Sequence, residues 1–182
     1  MEVLPDPVNL LVPGVDDAPS AVTIIGFDFQ FYGTTYSQFS ATPDGFIRLG
    51  SVSAIDEFTP NMYSILNLPQ IFGLWMDSST GVNGYVQYQL LGSAPTRKLV
   101  VEWFTTQPWN ITGSANAIYQ VVLYEGTNKV EFIYGAATNL SLLTLTYIGL
   151  KNTDSTFITI NGSLNTAALG VVNSIGVWPG AG

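Results

Sequence analysis

The spacing of apolar residues decides what this chain can fold into. Ile25, Phe27, Phe29 and Phe31 alternate with Gly26, Asp28 and Gln30. A period of two puts one set of side chains on one face of a β-strand. Short apolar-rich runs recur at 36–41, 46–49, 71–76, 85–91, 99–104, 118–124, 130–134, 143–150 and 157–160. Turn signals separate them: Tyr32-Gly33-Thr34, Pro43-Asp44-Gly45, Asn83-Gly84, Gly92-Ser93-Ala94-Pro95, Glu125-Gly126-Thr127-Asn128 and Asn161-Gly162. Many short strands enriched in β-branched and aromatic residues predict an all-β fold, a single antiparallel β-sandwich of jelly-roll-like form. No window carries apolar residues at i, i+3, i+4 and i+7 with helix caps; at most, 61–67 and 166–172 form a short helical turn. The clearest local unit is a hairpin, 118–124 returning through a four-residue loop into 129–134.

Residues 1–20 precede the alternating pattern and contain Pro5, Pro7, Pro13 and Pro19. Proline fixes φ and removes a donor, so this stretch is neither a helix nor a central strand. It reads as an extended arm, followed by one sandwich domain over 21–182. Its apolar residues Val8, Leu10, Leu11 and Val12 require cover, from the arm's own domain or from a neighbour. The first residues show no basic segment leading into an apolar core, so a Sec signal peptide is not expected. No run reaches the ~18 apolar residues of a membrane helix.

Charge is scarce. Only 10% of the residues are charged, although 47% are hydrophobic, against about 25% charged in an ordinary soluble domain. Neutral polar residues take their place: 14 Ser, 18 Thr, 12 Asn and 7 Gln. Histidine and cysteine are absent. This excludes disulfides, thiolate or imidazole metal sites and any Ser-His-Asp triad. The net charge of −8 is uneven, with nine acids and one base in 1–96 and four of each in 97–182. Such a surface repels phosphate backbones, and no nucleic-acid partner is expected.

Six stretches together resemble a known family. Residues 25–34 (IGFDFQFYGT), 36–40 (YSQFS) and 44–50 (DGFIRLG) look like the opening of nidogen-like β-sandwich modules, found in bacterial surface proteins and some phage proteins. Residues 71–77, 92–104 (GSAPTRKLVVEWF) and 120–135 (QVVLYEGTNKVEFIYG) resemble later parts of the same family, so the likeness spans about 16–150. Its usual Asn-Gly turn is Asp44-Gly45 here, and both pairs suit tight turns. The resemblance implies a non-catalytic display, adhesion or assembly module and transfers no catalytic residue.

Candidate chemistry is thin. Asp77, Glu102, Glu125 and Glu131 are the carboxylates that a glycosidase pair would draw on. The simpler reading makes Glu102 and Glu131 outward strand residues facing Arg97, Lys98 or Lys129, and Glu125 a loop-tip acid. Asp16, Asp17, Asp28, Asp44, Asp56 and Glu57 are oxygen donors that Ca²⁺ could use, but no Asp-x-Asp-x-Asp-Gly loop organises them. They read as solvated loop acids, and no cofactor is expected. Gly81-Val82-Asn83-Gly84 reads as a hairpin turn. Trp75 and Trp103 fall inside strands and belong to the core. Trp109 and Trp178 fall in loops or near the tail, where they pack beneath a loop or, alternatively, serve as exposed platforms or interface anchors.

A diffusing monomer keeps ~25–35% of its surface residues charged, which 18 charges cannot supply. Neutral surface costs less to desolvate when subunits meet. The expected protein is therefore a virion structural component (capsid decoration, tail or fibre) held among protein neighbours, as a homo-oligomer. Leu10, Leu11, Val12, Trp109 and Trp178 are its expected assembly contacts, with the arm clamping a neighbouring subunit. A cell-surface adhesion module of a larger bacterial protein, with a glycan as ligand, is the alternative.

Overall fold

The computed structural model describes residues 1–55, 57–107, 109–138 and 146–159, and the backbone of 173–177. The readings at Asp56, Trp178, 143–145, 161–162 and 166–172 lie outside the described residues. Among these residues twelve strands form: β1 (Val8–Leu11), β2 (Thr23–Phe31), β3 (Thr34–Ala41), β4 (Phe46–Leu49), β5 (Gln70–Trp75), β6 (Tyr85–Leu91), β7 (Lys98–Thr105), β8 (Ala117–Tyr124), β9 (Val130–Ala137), β10 (Tyr147–Lys151), β11 (Phe157–Thr159) and β12 (Asn173–Val177). They build two antiparallel six-stranded sheets, in the orders β1-β6-β7-β8-β9-β12 and β11-β10-β5-β4-β3-β2. The β-sandwich expected from the alternation is the fold that forms. Residues 61–67 make hydrogen-bonded turns and no helix.

The alternation assigns the faces. Ile25, Phe27, Phe29 and Phe31 all enter the main core, with Leu99, Val101 and Trp103 from β7 opposite. Trp103 stacks flat on Tyr119, with ring centroids 5.3 Å apart. Two aromatic side chains then cross between the sheets with their polar ends. The Trp103 indole donates to the Thr42 carbonyl at 2.8 Å, and the Tyr134 hydroxyl donates to the Gly73 carbonyl at 2.6 Å. A buried indole or phenol needs such a partner, so these bonds fix how one sheet sits over the other. A Cβ at Gly73 would come within 2.9 Å of Val121 and 3.2 Å of the Tyr119 ring, so glycine is what permits the close approach of β5 to β8.

Both sheets also carry cover on their outer faces. On the second sheet, Phe46, Phe72 and Trp75 point away from the main core and pack with Ala54 and Met62 of the β4–β5 loop. That loop is tied down from below: the Trp75 indole donates to the Glu57 carbonyl, and the buried Lys151 ammonium donates to the Asn61 carbonyl. On the first sheet, Val100, Val122 and Ile133 form an outer cluster, and Met1 and Leu4 pack against it. The first seven residues thus form a strap over this sheet. β1 then pairs with β6, as an edge strand. Of the two covers the arm's apolar residues allowed, its own domain supplies contacts at Met1, Leu4, Leu10 and Leu11.

The Asp44-Gly45 turn joins β3 to β4 and docks on β5. Gly73 and Leu74 both donate from their backbones to the Gly45 carbonyl. Residues 81–84 are a turn, as expected, but not a hairpin, because β5 and β6 lie in different sheets.

Gly45→Ala will lower the melting temperature much more than Gly14→Ala. At Gly14 (φ +85°) a Cβ meets nothing within 4 Å, so only the left-handed backbone opposes alanine, by about 1–2 kcal/mol. At Gly45 (φ +83°) the new Cβ would also lie 2.2 Å from the Leu74 carbonyl oxygen. Thermal unfolding reads the difference, and equal losses would contradict the docked turn.

Candidate functional site

The docked turn organises the segment that leaves β5. The Asp44 carboxylate accepts from the Ser78 backbone, and Met76 donates to the Asp44 carbonyl. Ser79 then bridges two distant strips of chain, pairing with Asp16 on one side and Thr106 on the other. Trp109 donates its backbone N–H to the Asp77 carbonyl at 3.0 Å. Asp16, Asp17, Asp77 and Trp109 are thereby gathered around one segment, and with Phe58 they line an open pocket of about 260 Å³. One oxygen from each of the three aspartates lies within 4.8 Å of the others.

This gathering differs from the calcium set read from the sequence. Asp16 and Asp17 are joined by Asp77, which that set omitted. Asp28 sits exposed on β2, Asp44 is buried in the turn, and the Glu57 carboxylate accepts from Asn67. Asp77 lies more than 60 positions from Asp16, so no local spacing could have brought the three together.

Phe58 lines the pocket and also belongs to a second feature, the exposed apolar side chains of the β4–β5 loop. Ile55, Phe58, Tyr63, Ile65 and Leu66 are all exposed, Tyr63 by 77% and Ile65 by 67%. Tyr63 meets Phe157 of β11 edge to face, with centroids 6.5 Å apart, and Ile158 is exposed beside it. The loop's inner residues, Ala54 and Met62, are already buried against Trp75. Among the described residues, its outer side chains have no such cover.

The carboxylates weighed for catalysis have local partners. Glu131 accepts from Lys129 and from the Tyr124 hydroxyl. Glu102 does not face a cation: it is 6% exposed and accepts from Gln87, Gln120 and the Tyr85 hydroxyl. Neutral donors satisfy it because its neighbours across the sheet are Gln87 and Gln120. Burial, with Glu102 beside it, pushes the Tyr85 hydroxyl up to about 12. Glu125 is not a free loop-tip acid. The Arg97 guanidinium grips both its oxygens and also donates to the Gly26 carbonyl. That grip holds the Glu125 carboxyl down at about 2.

The expected assembly contacts divide. Leu11 is buried in the main core and Leu10 is partly buried against it. Val12 is exposed, and Trp109 is 45% exposed at the rim of the pocket. Trp75 and Trp103 are fully buried.

The fold and these surfaces define a two-sheet module with elaborated loops. A family profile described as NIDO related matches residues 7–182, and the chain belongs to that nidogen-related family. No curated protein and no solved structure matches it.

The Arg97–Glu125 pair predicts an acid response. The folded Glu125 pKa lies below its ordinary value of 4.5, so its contribution to stability is complete above that value. It is lost as pH falls toward 2, as the folded carboxylate takes up its proton. The melting temperature of the wild type will therefore fall more steeply between pH 4.5 and 2 than that of Glu125→Gln. Parallel curves would contradict the pairing.

Proposed function

We propose that this chain is a non-catalytic structural or attachment protein, held in an assembly against protein neighbours, in the first instance further copies of itself. The observation that carries this reading is the outward apolar row of the β4–β5 loop, continued by Phe157 and Ile158 on β11. Large apolar side chains exposed together on one loop, with Tyr63 and Phe157 in contact, suit an interaction site. The row includes two aromatic rings, the side chains that anchor interfaces most often. It lies on a loop fastened by Trp75, Lys151 and Asn67, so little ordering is required when a partner arrives.

The scarcity of charge supports the same reading. All five basic side chains have work within the domain: Arg48 donates to the Ser53 carbonyl, Arg97, Lys98 and Lys129 pair with Glu125, Glu2 and Glu131, and Lys151 is buried. A surface of this kind suits a subunit fixed among neighbours, and a virion component is the setting we favour. The pocket favours a second reading, a cell-surface adhesion module that binds a glycan. Trp109 offers an aromatic plane beside three carboxylates able to accept from sugar hydroxyls. A glycan array without hits, unchanged in Trp109→Ala, would remove that reading.

The assembly reading is tested by light scattering on the purified chain and on Tyr63→Ser/Ile65→Ser. The wild type is expected to exceed the monomer mass, and the double variant to fall toward it while still unfolding cooperatively, since both side chains are mostly exposed and only the Tyr63 contact with Phe157 is lost. A wild type that stays monomeric at high concentration, or a variant that assembles equally well, would overturn the reading.

A further inference from the structure

We propose that the N-terminal arm, residues 1–12, is exchangeable between copies of this chain, so that the strap and β1 of one copy occupy the groove and sheet edge of another. This extends the assembly reading from the β4–β5 loop to the opposite sheet, and it rests on copies meeting.

The groove is built for this sequence. Met1 and Leu4 pack on the outer cluster of Val100, Val122 and Ile133. Glu2 exchanges two hydrogen bonds with the Gln120 side chain, at 2.8 and 2.9 Å. Its carboxylate pairs with Lys98 at 2.6 Å. The Asp6 backbone donates to Gln89 at 3.1 Å. An arm from a second copy brings the same apolar and polar groups, and its acid meets the same lysine. No contact is lost on exchange apart from those at the hinge.

The hinge is visible. Body contacts resume where Thr80 donates to the Val12 carbonyl and Gly14 donates to the Gly81 carbonyl. Between them lies Pro13-Gly14, exposed, with Gly14 at φ +85° and open space where a side chain would sit. Turning the backbone outward there withdraws Leu11 from the main core, and the Leu11 of a second copy's arm refills the same place. The arm joins the first sheet at one edge. β1 is four residues long and pairs with a single neighbour, β6. Segments with such limited pairing open far below the cost of global unfolding. A short tether presents the home groove at about millimolar effective concentration. Neighbours locked in an assembly present theirs at a similar level, so the two sites compete evenly. Exchange of an identical element is a low-cost route to association.

The absence of cysteine makes the test clean. Asn9 and Gln87 stand opposite each other across β1 and β6, so Asn9→Cys and Gln87→Cys place one thiol on the arm and one on the body. The two single variants are co-refolded as an equimolar mixture at about millimolar chain, diluted, and linked with a short bismaleimide. Exchange predicts a shift to twice the chain mass, joining an Asn9→Cys chain to a Gln87→Cys chain. That product should be absent when the variants are refolded apart and mixed only at the dilute stage. The double variant Asn9→Cys/Gln87→Cys in one chain controls for reach, since its thiols meet in either arrangement. If it links only within single chains while the co-refolded mixture gives no dimer, the proposal is wrong. Repeating the mixture in Tyr63→Ser/Ile65→Ser separates the two ideas: linked dimers that persist there belong to the arm, whatever becomes of the loop surface.

Discussion

The cross-sheet hydrogen bonds of Trp103 and Tyr134 are the constraint on which the rest of this structure depends. Each ring is buried between the sheets, and each must find an acceptor on the sheet opposite. Once Trp103 reaches Thr42 and Tyr134 reaches Gly73, the β3–β4 turn and β5 are placed over β7, β8 and β9. The docked Asp44-Gly45 turn then holds residues 76–79, and these hold Asp16 and Thr106. The pocket at Asp16, Asp17, Asp77 and Trp109 is therefore a consequence of core geometry several residues away. The apolar loop follows from the same chain, because β5 turns Phe72 and Trp75 outward and the loop must cover them.

Sequence reasoning reached the local features and stopped at the distant ones. The alternation at 25–31 correctly assigned a core face to every phenylalanine in β2, because the period of strand side chains allows only that. The β8–β9 hairpin was legible from its loop, and Tyr124 closes it by donating to the Lys129 carbonyl. β5 was harder: Gln70–Trp75 is buried at every position, so no alternation marks which side chains turn outward. β1 is hidden inside the arm because Pro7 and Pro13 flank it and argue against a central strand, whereas Val8–Leu11 itself holds no proline and pairs at a sheet edge. Its partner β6 lies about 75 residues further along, and nothing in the local sequence points there. The glutamine neighbours of Glu102 and the meeting of Asp77 with Asp16 and Asp17 depend on register and sheet crossing in the same way.

Charge placement joins the two outer faces. The strap brings Glu2 to Lys98 on one sheet, while Lys151 is buried under the loop on the other. Burial pushes the Lys151 ammonium pKa down, against the opposing pull of Glu57 and Asp154. With the cations engaged inside the domain, the remaining surface is neutral, apolar or acidic. Neutral and apolar surface is what a fixed neighbour desolvates at least cost. The loop covers the outer face at Phe46, Phe72 and Trp75, the strap covers the one at Val100, Val122 and Ile133, and on the proposed reading the loop's exposed side chains meet another molecule.

Amide hydrogen exchange, followed by mass spectrometry at dilute and at high concentration, tests that claim most directly. The account predicts that exchange slows with concentration over 57–66 and over β11, while β7 and β8 keep their rates. Rates in 57–66 that are the same at both concentrations would contradict it.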